Sequence, residues 1–176
     1  MANVVRKTRD GYDFAGIDER LGDGEIVRRA QGQRQGVHLG GRTVDVCAVV
    51  SRRRSEPRVF TIDPATRKLT LISAARGRME ERNRPYGLAL YKRPRDGKLY
   101  AFVSRLDPGS GIEQLEVFPV GEKGQVRCRV VRRLGKGHVK SHVEGMVADD
   151  EHGFLYASDE EHAVSTTMLG PCSPNT

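Results

Sequence analysis

Short strand-like runs separated by turn signals are the feature that most constrains the fold of this chain. The runs are rich in β-branched and aromatic residues, and stretches such as DPATRK, RPRDG, DPGSG and GEKG separate them. The runs cover residues 42–51, 58–63, 68–73, 86–92, 98–105, 112–120 and 126–134, and residues 141–161 hold two more. No segment carries an apolar stripe at helical spacing over three turns, so the sequence predicts an all-β fold.

Two stretches of the chain share one plan: YGLALYKRPRDGKLYAFVSR and EGMVADDEHGFLYASDE. Tyr86 and Glu144 occupy matching positions 58 residues apart, and Tyr100 and Tyr156 match at a distance of 56 residues. A four-stranded unit that repeats after about 50 residues is typical of a β-propeller blade. At that period, 176 residues hold about three blades. A closed ring needs roughly four to eight blades, so we expect an incomplete arc of a β-propeller.

The chain is basic, with a formal net charge of +7. A basic surface favours anionic partners, and two arginine-rich stretches stand out, SRRRSEPR (51–58) and RCRVVRRL (127–134). The second alternates arginine with apolar residues, which predicts a strand with one solvated face. Neither a helix-turn-helix pattern, nor zinc-ligand spacing, nor an RNA-binding aromatic pattern is present, so we expect no nucleic-acid partner. No apolar run approaches the ~20 residues of a membrane span, so we expect no membrane partner either.

The cysteines and the N-terminus indicate little about function. Cys47, Cys128 and Cys172 lie far apart and match neither a metal-ligand spacing nor a disulfide framework, so we interpret them as small core or surface residues. The N-terminal stretch MANVVRKTRDGYDF lacks an apolar core, so no signal peptide is visible.

Three strings carry a resemblance to a known family. GGRTVDVCAVVSR, PYGLALYKRPRDGKLYAFVS and VEGMVADDEHGFLYASDEE, in this order, resemble the β-propeller phytases from about Gly40 to Val164. The resemblance implies a six-bladed propeller and a calcium-dependent enzyme that removes phosphates from phytate (inositol hexakisphosphate). It also implies a secreted or periplasmic protein, monomeric when complete, with phytate bound as its calcium complex.

The extent of the resemblance predicts how the chain is divided. Residues 37–165 match the propeller, residues 1–36 do not follow the family pattern, and residues 166–176 are expected to be an unrelated or disordered tail. The DDPAIW-like, NNVD and DxEG strings of the family are absent. We therefore expect a fragment from the middle of the ring that carries about half of the active site.

The resemblance implies roles for three residues near strand ends. Glu144 and Glu160 match glutamates that bind calcium and serve catalysis, in which a calcium-coordinated water attacks phosphorus without a covalent enzyme intermediate. Tyr86 matches a tyrosine of the phosphate and calcium site. Calcium takes about six to eight oxygen ligands, and converging carboxylates at strand ends suit it.

The substrate side of the predicted site is basic. Arg52 matches an arginine that binds a substrate phosphate, a role suited to the guanidinium fork, although Arg53 and Arg54 leave the register open. The family usually has a phosphate-binding lysine in the loop after the LYAFVS strand. That loop reads SRLDPGSG here, so we expect Arg105 to bind a substrate phosphate in its place. His142 replaces a usual glutamine, and we interpret it as local variation and not as a catalytic base.

Another class of function is open: a non-catalytic basic propeller module that binds anionic partners through its arginines. A calcium-dependent propeller lactonase is a further alternative, but no specific string supports it. Loss of activity on chelation would indicate the enzyme, whereas loss of affinity with salt would indicate arginine-led binding.

Overall fold

The computed structural model describes residues 5–8, 11–14, 32–50, 57–74, 84–107, 109–121 and 124–168. Across these ranges the backbone forms thirteen strands and no helix, which confirms the all-β prediction. The strands are β1 (Val5–Thr8), β2 (Gly11–Phe14), β3 (Gly32–Leu39), β4 (Arg42–Val49), β5 (Arg58–Ile62), β6 (Leu69–Leu71), β7 (Pro85–Lys92), β8 (Leu99–Arg105), β9 (Ile112–Val120), β10 (Gln125–Leu134), β11 (Val143–Asp149), β12 (Phe154–Asp159) and β13 (Ala163–Met168). The described ranges therefore contain no helix able to span a membrane.

The strands form antiparallel sheets in chain order. Strands β3 to β6 make the first sheet, β7 to β10 the middle sheet and β11 to β13 the third sheet, while β1 and β2 form a separate pair. Every strand predicted between residues 42 and 161 is found, within two residues at each end. The structure adds β1, β2, β3 and β13. The predicted division points at residues 37 and 166 fall inside β3 and β13. Four-stranded antiparallel sheets are consistent with propeller blades, but the described ranges show no closed ring.

The middle sheet is buried on both faces. One face contributes Leu88, Leu90 and Val103 to a core shared with the first sheet. The alternate face contributes Tyr91 and Phe102 to a core shared with the third sheet. Because side chains of a strand point alternately to opposite faces, β8 must be apolar in both registers, and it is buried along its whole length.

A β-bulge recurs near the start of the first strand in all three sheets. The pairing register shifts between Arg34 and Val37 in β3, between Pro85 and Leu88 in β7, and between Val143 and Met146 in β11. The bulged pairs are Gln35–Gly36, Tyr86–Gly87 and Glu144–Gly145. The repeat inferred from Tyr86 and Glu144 thus has a third copy at Gln35. Bulges re-aim side chains, and here they do so at one end of neighbouring sheets, because β7 contacts both β3 and β11.

Tight turns of one kind close three of the hairpins at the opposite end. In each, a residue with positive φ donates its amide to a carbonyl four residues earlier: Arg67 (φ 59°) to Asp63, Gly97 (φ 67°) to Arg93, and Gly153 (φ 71°) to Asp149. The first two are turns that the sequence predicted at DPATRK and RPRDG.

The outward face of the third sheet is exposed, unlike that of the first sheet. Val147, Tyr156 and Val164 are 59, 37 and 67% exposed on it, and Val147 is paired directly with Tyr156. On the first sheet the corresponding outward residues Cys47 and Phe60 are buried. An uncovered apolar face is what the predicted open end of an arc would present.

The cysteines agree with their interpretation as packing residues where they are described. Burial raises the pKa of the Cys47 thiol to about 12, so this thiol stays protonated and unreactive, and Cys128 packs against the core shared by the first and middle sheets. Cys172 lies outside the described residues.

Candidate functional site

One end of the middle and third sheets gathers the residues predicted for the site. Tyr86 lies near the start of β7, Glu144 lies near the start of β11, and Glu160 directly follows β12. Val143 pairs with Asp159, and the Glu160 amide donates to the carbonyl oxygen of His142 at 2.9 Å. Antiparallel pairing of β11 and β12 therefore places the two predicted glutamates at the same end of the third sheet.

Tyr86, His142 and Glu160 form a side-chain cluster, called the Tyr86 cluster below. The Tyr86 hydroxyl donates to Glu160 Oε1 at 3.2 Å, although the two residues are 74 positions apart. His142 Nδ1 lies 4.0 Å from Glu160 Oε2, and its ring centroid lies 5.6 Å from that of Tyr86. The side chains of His142 and Glu160 are 39 and 41% exposed, so the cluster is open to solvent. His142 thus contacts two predicted site residues, which the sequence interpretation did not anticipate.

Glu144 is exposed, and its backbone is held by two residues that sequence reasoning missed. The Gly87 amide donates to Ser104 Oγ at 2.7 Å, and the Ser104 hydroxyl donates to the carbonyl oxygen of Val143. A Cβ atom on Gly87 would lie 2.7 Å from the Glu144 carbonyl oxygen. Only glycine allows this approach, so Gly87 and Ser104 together fix the bulge that presents Glu144. The glycine of the PYGL string was a visible signal, whereas nothing local marked Ser104.

Asp159 is buried and fastens the loop before β11. It accepts hydrogen bonds from the Ser141 hydroxyl and from the Lys140 amide, the latter at 3.0 Å, and His162 Nδ1 lies 3.5 Å away. These contacts, that of Ser141 above all, hold the pKa of Asp159 below its ordinary value of 3.8. Asp159 therefore remains a carboxylate that anchors residues 140–142 beside Glu160.

Arg105 lies at the same end but in a buried ion pair. Its guanidinium donates to Glu113, and the two side chains are 6 and 4% exposed. Glu113 also accepts from Arg133 at 3.0 Å. Contact of Arg105 with a substrate phosphate stays a prediction.

Arg52, Arg53 and Arg54 lie outside the described residues. β4 ends at Val49 and β5 begins at Arg58, and these two residues pair with each other. Because β4 runs antiparallel to β3, this junction lies at the end of the first sheet where the β3 bulge occurs. The phosphate-binding role of these arginines stays a prediction.

The donors present suit a hard cation but do not complete a site. Glu144 and Glu160 offer carboxylate oxygens, the ligands that calcium prefers. In the described ranges no group of three His, Cys, Asp or Glu side chains could hold a metal ion. The two glutamates can therefore supply only part of a shell of about six to eight oxygens.

Comparison with known proteins decides the family. The sequence model of the Phytase family matches residues 26–174. The chain belongs to the phytase family. Among its relatives is a 3-phytase of Bacillus subtilis (strain 168), which is 32% identical over 129 residues that make up 72% of this chain. The phytase match extends beyond the predicted propeller region 37–165 on both sides. The chain spans 32% of that relative's length.

Proposed function

We propose that this chain forms part of a calcium-dependent phytase that hydrolyses phosphomonoesters of phytate. Membership of the phytase family and similarity to a protein named 3-phytase support the reaction. The observation that carries the site is the hydrogen bond from Tyr86 to Glu160, which joins the middle and third sheets. It brings a phenol and a carboxylate to the end of the sheets where Glu144 is also exposed.

Glu144 and Glu160 are the residues that would hold calcium. Bound calcium would lower the pKa of a water molecule. It would also reduce the electrostatic repulsion between the carboxylates and the substrate phosphates. Tyr86 orients Glu160 through Oε1, and the Gly87–Ser104 contact fixes the backbone of Glu144. Attack of water on phosphorus would break the ester P–O bond and release inorganic phosphate and the inositol alcohol.

The substrate is held by cationic side chains in this proposal. Arg52, or its neighbours Arg53 and Arg54, would bind a phosphate through the guanidinium fork. Arg105 reaches the same end of the middle sheet but shares its charge with Glu113. We therefore assign the main phosphate contact to the connection between β4 and β5.

Further sheets would complete the ring and the ligand set. The exposed outward face of the third sheet and the 32% share of the relative's length both support additional sheets in the complete protein. A closed propeller would bury Val147 and Val164 and bring further oxygen ligands to Glu144 and Glu160. We propose that the completed ring is a monomer.

Phytate binding to the 176-residue chain tests this proposal, with calcium present and after chelation. We expect binding that requires calcium and that falls in Glu160→Gln, Glu144→Gln and Arg52→Ala. Glu151→Gln is the matched control, because Glu151 is an exposed glutamate in the turn at the opposite end of the third sheet. Absence of phytate binding both with calcium and after chelation would contradict the assignment of phytate as the substrate. Phosphate release from phytate that persists after chelation contradicts the role of calcium.

A further inference from the structure

A cationic stretch that the proposed phytase site does not use runs along one edge of the middle sheet. Residues 123–140 contain seven Lys and Arg and no Asp or Glu. They include all of β10, which is the edge strand of the sheet order β10-β9-β8-β7. This stretch therefore carries seven of the 30 Lys and Arg of the chain with no acidic residue among them.

Three arginines of β10 project from the same face. Arg127, Arg129 and Arg132 are paired across the sheet with Phe118, Glu116 and Gln114, which are alternate residues of β9. A register shift between Val130 and Arg132 brings Arg132, instead of Val131, into this series. Alternate residues of a strand are about 7 Å apart, so the three form an evenly spaced series that we call the arginine row.

The guanidinium groups of Arg129 and Arg132, two members of the arginine row, are oriented by partners on β9. Arg129 Nε and Nη2 donate to Glu116 Oε2 at 2.9 and 2.6 Å, and its guanidinium lies 5.1 Å from the Phe118 ring centroid. Arg132 Nε donates to Gln114 Oε1 at 3.1 Å. Glu116 is buried, whereas the Arg129 side chain is 63% exposed. An ordered guanidinium that faces water loses little further freedom when it binds an anion.

The local carboxylates do not neutralise this surface. Glu116 accepts from Lys98 at 2.9 Å as well as from Arg129, so one negative charge serves two cations. Glu113 is likewise shared by Arg105 and Arg133. Positive charge therefore remains in excess along β10, with exposed Arg127 adding to it.

The chemistry of the arginine row favours a linear anion. A single phosphate on an exposed surface gains little, because its charge pairs are screened by water and salt. A polymer gains from several contacts at once and from the release of its counterions. An acidic peptide would have to order each charged side chain, whereas a phosphate polymer carries its charges in the chain itself. Pairing of a peptide strand with the edge is opposed by the bulge and by the charges.

We propose that the arginine row binds inorganic polyphosphate lying along β10. The site is separate from the Tyr86 cluster and requires no calcium. Each guanidinium contacts one or two phosphate oxygens of the extended chain.

Titration of the 176-residue chain with polyphosphate of fixed length, in the presence of chelator and at several salt concentrations, tests the inference. The chelator removes any contribution from the proposed calcium site, so the two proposals can fail independently. The triple variant Arg127→Gln, Arg129→Gln, Arg132→Gln should bind at least about tenfold more weakly at low salt. The slope of log affinity against log salt should flatten by about 2, since each lost contact with a flexible anion removes about 0.7.

Two further variants distinguish the arginine row from bulk charge and from a folding defect. Arg42→Gln, Lys68→Gln, Arg95→Gln removes the same charge from exposed residues elsewhere and should leave the affinity within about twofold. The lysine triple, Arg127→Lys, Arg129→Lys, Arg132→Lys, should retain the salt slope but lose at least about threefold in affinity, because the planar fork is lost. Circular dichroism melting checks the fold of each variant.

Several outcomes would overturn the proposal. One is an equal loss of affinity in the control triple. Others are unchanged affinity in the lysine triple and equally tight binding of polyglutamate of matched charge. Binding to anionic lipid vesicles or to single-stranded DNA in preference to polyphosphate would assign the arginine row to a different partner.

Discussion

A Cβ atom on Gly87 would lie 2.7 Å from the carbonyl oxygen of Glu144, and closer still to that of Val143. Ser104 accepts from the Gly87 amide and donates to the Val143 carbonyl, so the same junction is bonded as well as tightly packed. The start of β11, and with it Glu144, is therefore positioned by the middle sheet. The geometry of the candidate site depends on a contact between sheets and not on the third sheet alone.

Gly87→Ala should reduce the free energy of unfolding by about 1–3 kcal/mol, because backbone atoms on both sides cannot yield cheaply. Gly145→Ala is the control at the neighbouring bulge, since its nearest obstacle is Ser158 Cβ at 3.5 Å. We expect the control to change stability by less than about 0.5 kcal/mol. Urea denaturation of both variants measures the difference, and equal costs would contradict the close approach.

The two arginines that share Glu113 should differ in importance. Arg105→Gln breaks a buried ion pair and should cost about 3 kcal/mol, because Glu113 loses its buried partner. The Arg133 side chain is 61% exposed, and Arg133→Gln should cost less than about 1 kcal/mol. Chemical denaturation of both variants tests this ranking. An Arg105→Gln protein as stable as Arg133→Gln would show that the buried pair carries little stability.

Backbone conformation in the hairpin turns predicts two substitutions of opposite effect. Arg67 has φ 59°, a left-handed conformation that strains a residue with a Cβ atom, so Arg67→Gly should stabilise the protein by about 1 kcal/mol. Gly97 has φ 67°, and a Cβ atom added there would meet no other atom within 4 Å. Gly97→Ala should therefore destabilise the protein by about 1 kcal/mol through the backbone alone. Thermal melting of the two variants gives the sign, and shifts in the same direction would refute this account of the turns.

Asp96 should titrate well below an ordinary aspartate. Hydrogen bonding from Arg93 holds the pKa of Asp96 at about 2, against an ordinary value of 3.8. Because the folded pKa is the lower one, this contact stabilises the fold above pH 3.8 and loses its effect as the pH falls towards 2. Carboxyl-carbon NMR should show the low pKa in the parent protein and a value near 3.8 in Arg93→Gln. An ordinary pKa in the parent would contradict the pairing.

The strands that could be predicted from the sequence are those whose own residues indicate a strand. Strands β4 to β12 were predictable because each is a local run of apolar and β-branched residues bounded by turn residues. β3 was not, since among its residues only Val37 and Leu39 are strongly apolar and a bulge at Gly36 interrupts them. Its stabilising contacts are distant in sequence, such as the bond from Lys92 Nζ to the Gly36 carbonyl oxygen at 2.8 Å.

The candidate site shows the same division. The resemblance to known phytases indicated Tyr86, Glu144 and Glu160, and the structure places Tyr86 against Glu160. It could not indicate Ser104, whose partners lie 17 and 39 residues away, because that contact exists only once two sheets have packed. The clustering of His142 with Tyr86 also arises from packing between sheets.

Terbium luminescence tests the central claim, that the Tyr86 cluster and Glu144 contribute to a calcium site, most directly. Terbium(III) is a hard cation that replaces calcium at oxygen ligands, and nearby tyrosine sensitises its emission. The chain contains five tyrosines and no tryptophan, so a sensitised signal reports a tyrosine close to the ion. We predict emission that calcium displaces and that Tyr86→Phe, Glu160→Gln and Glu144→Gln each abolish or strongly reduce, while Tyr156→Phe leaves it unchanged. Undiminished emission in Tyr86→Phe or in Glu160→Gln, or no emission from the parent chain, would contradict the account.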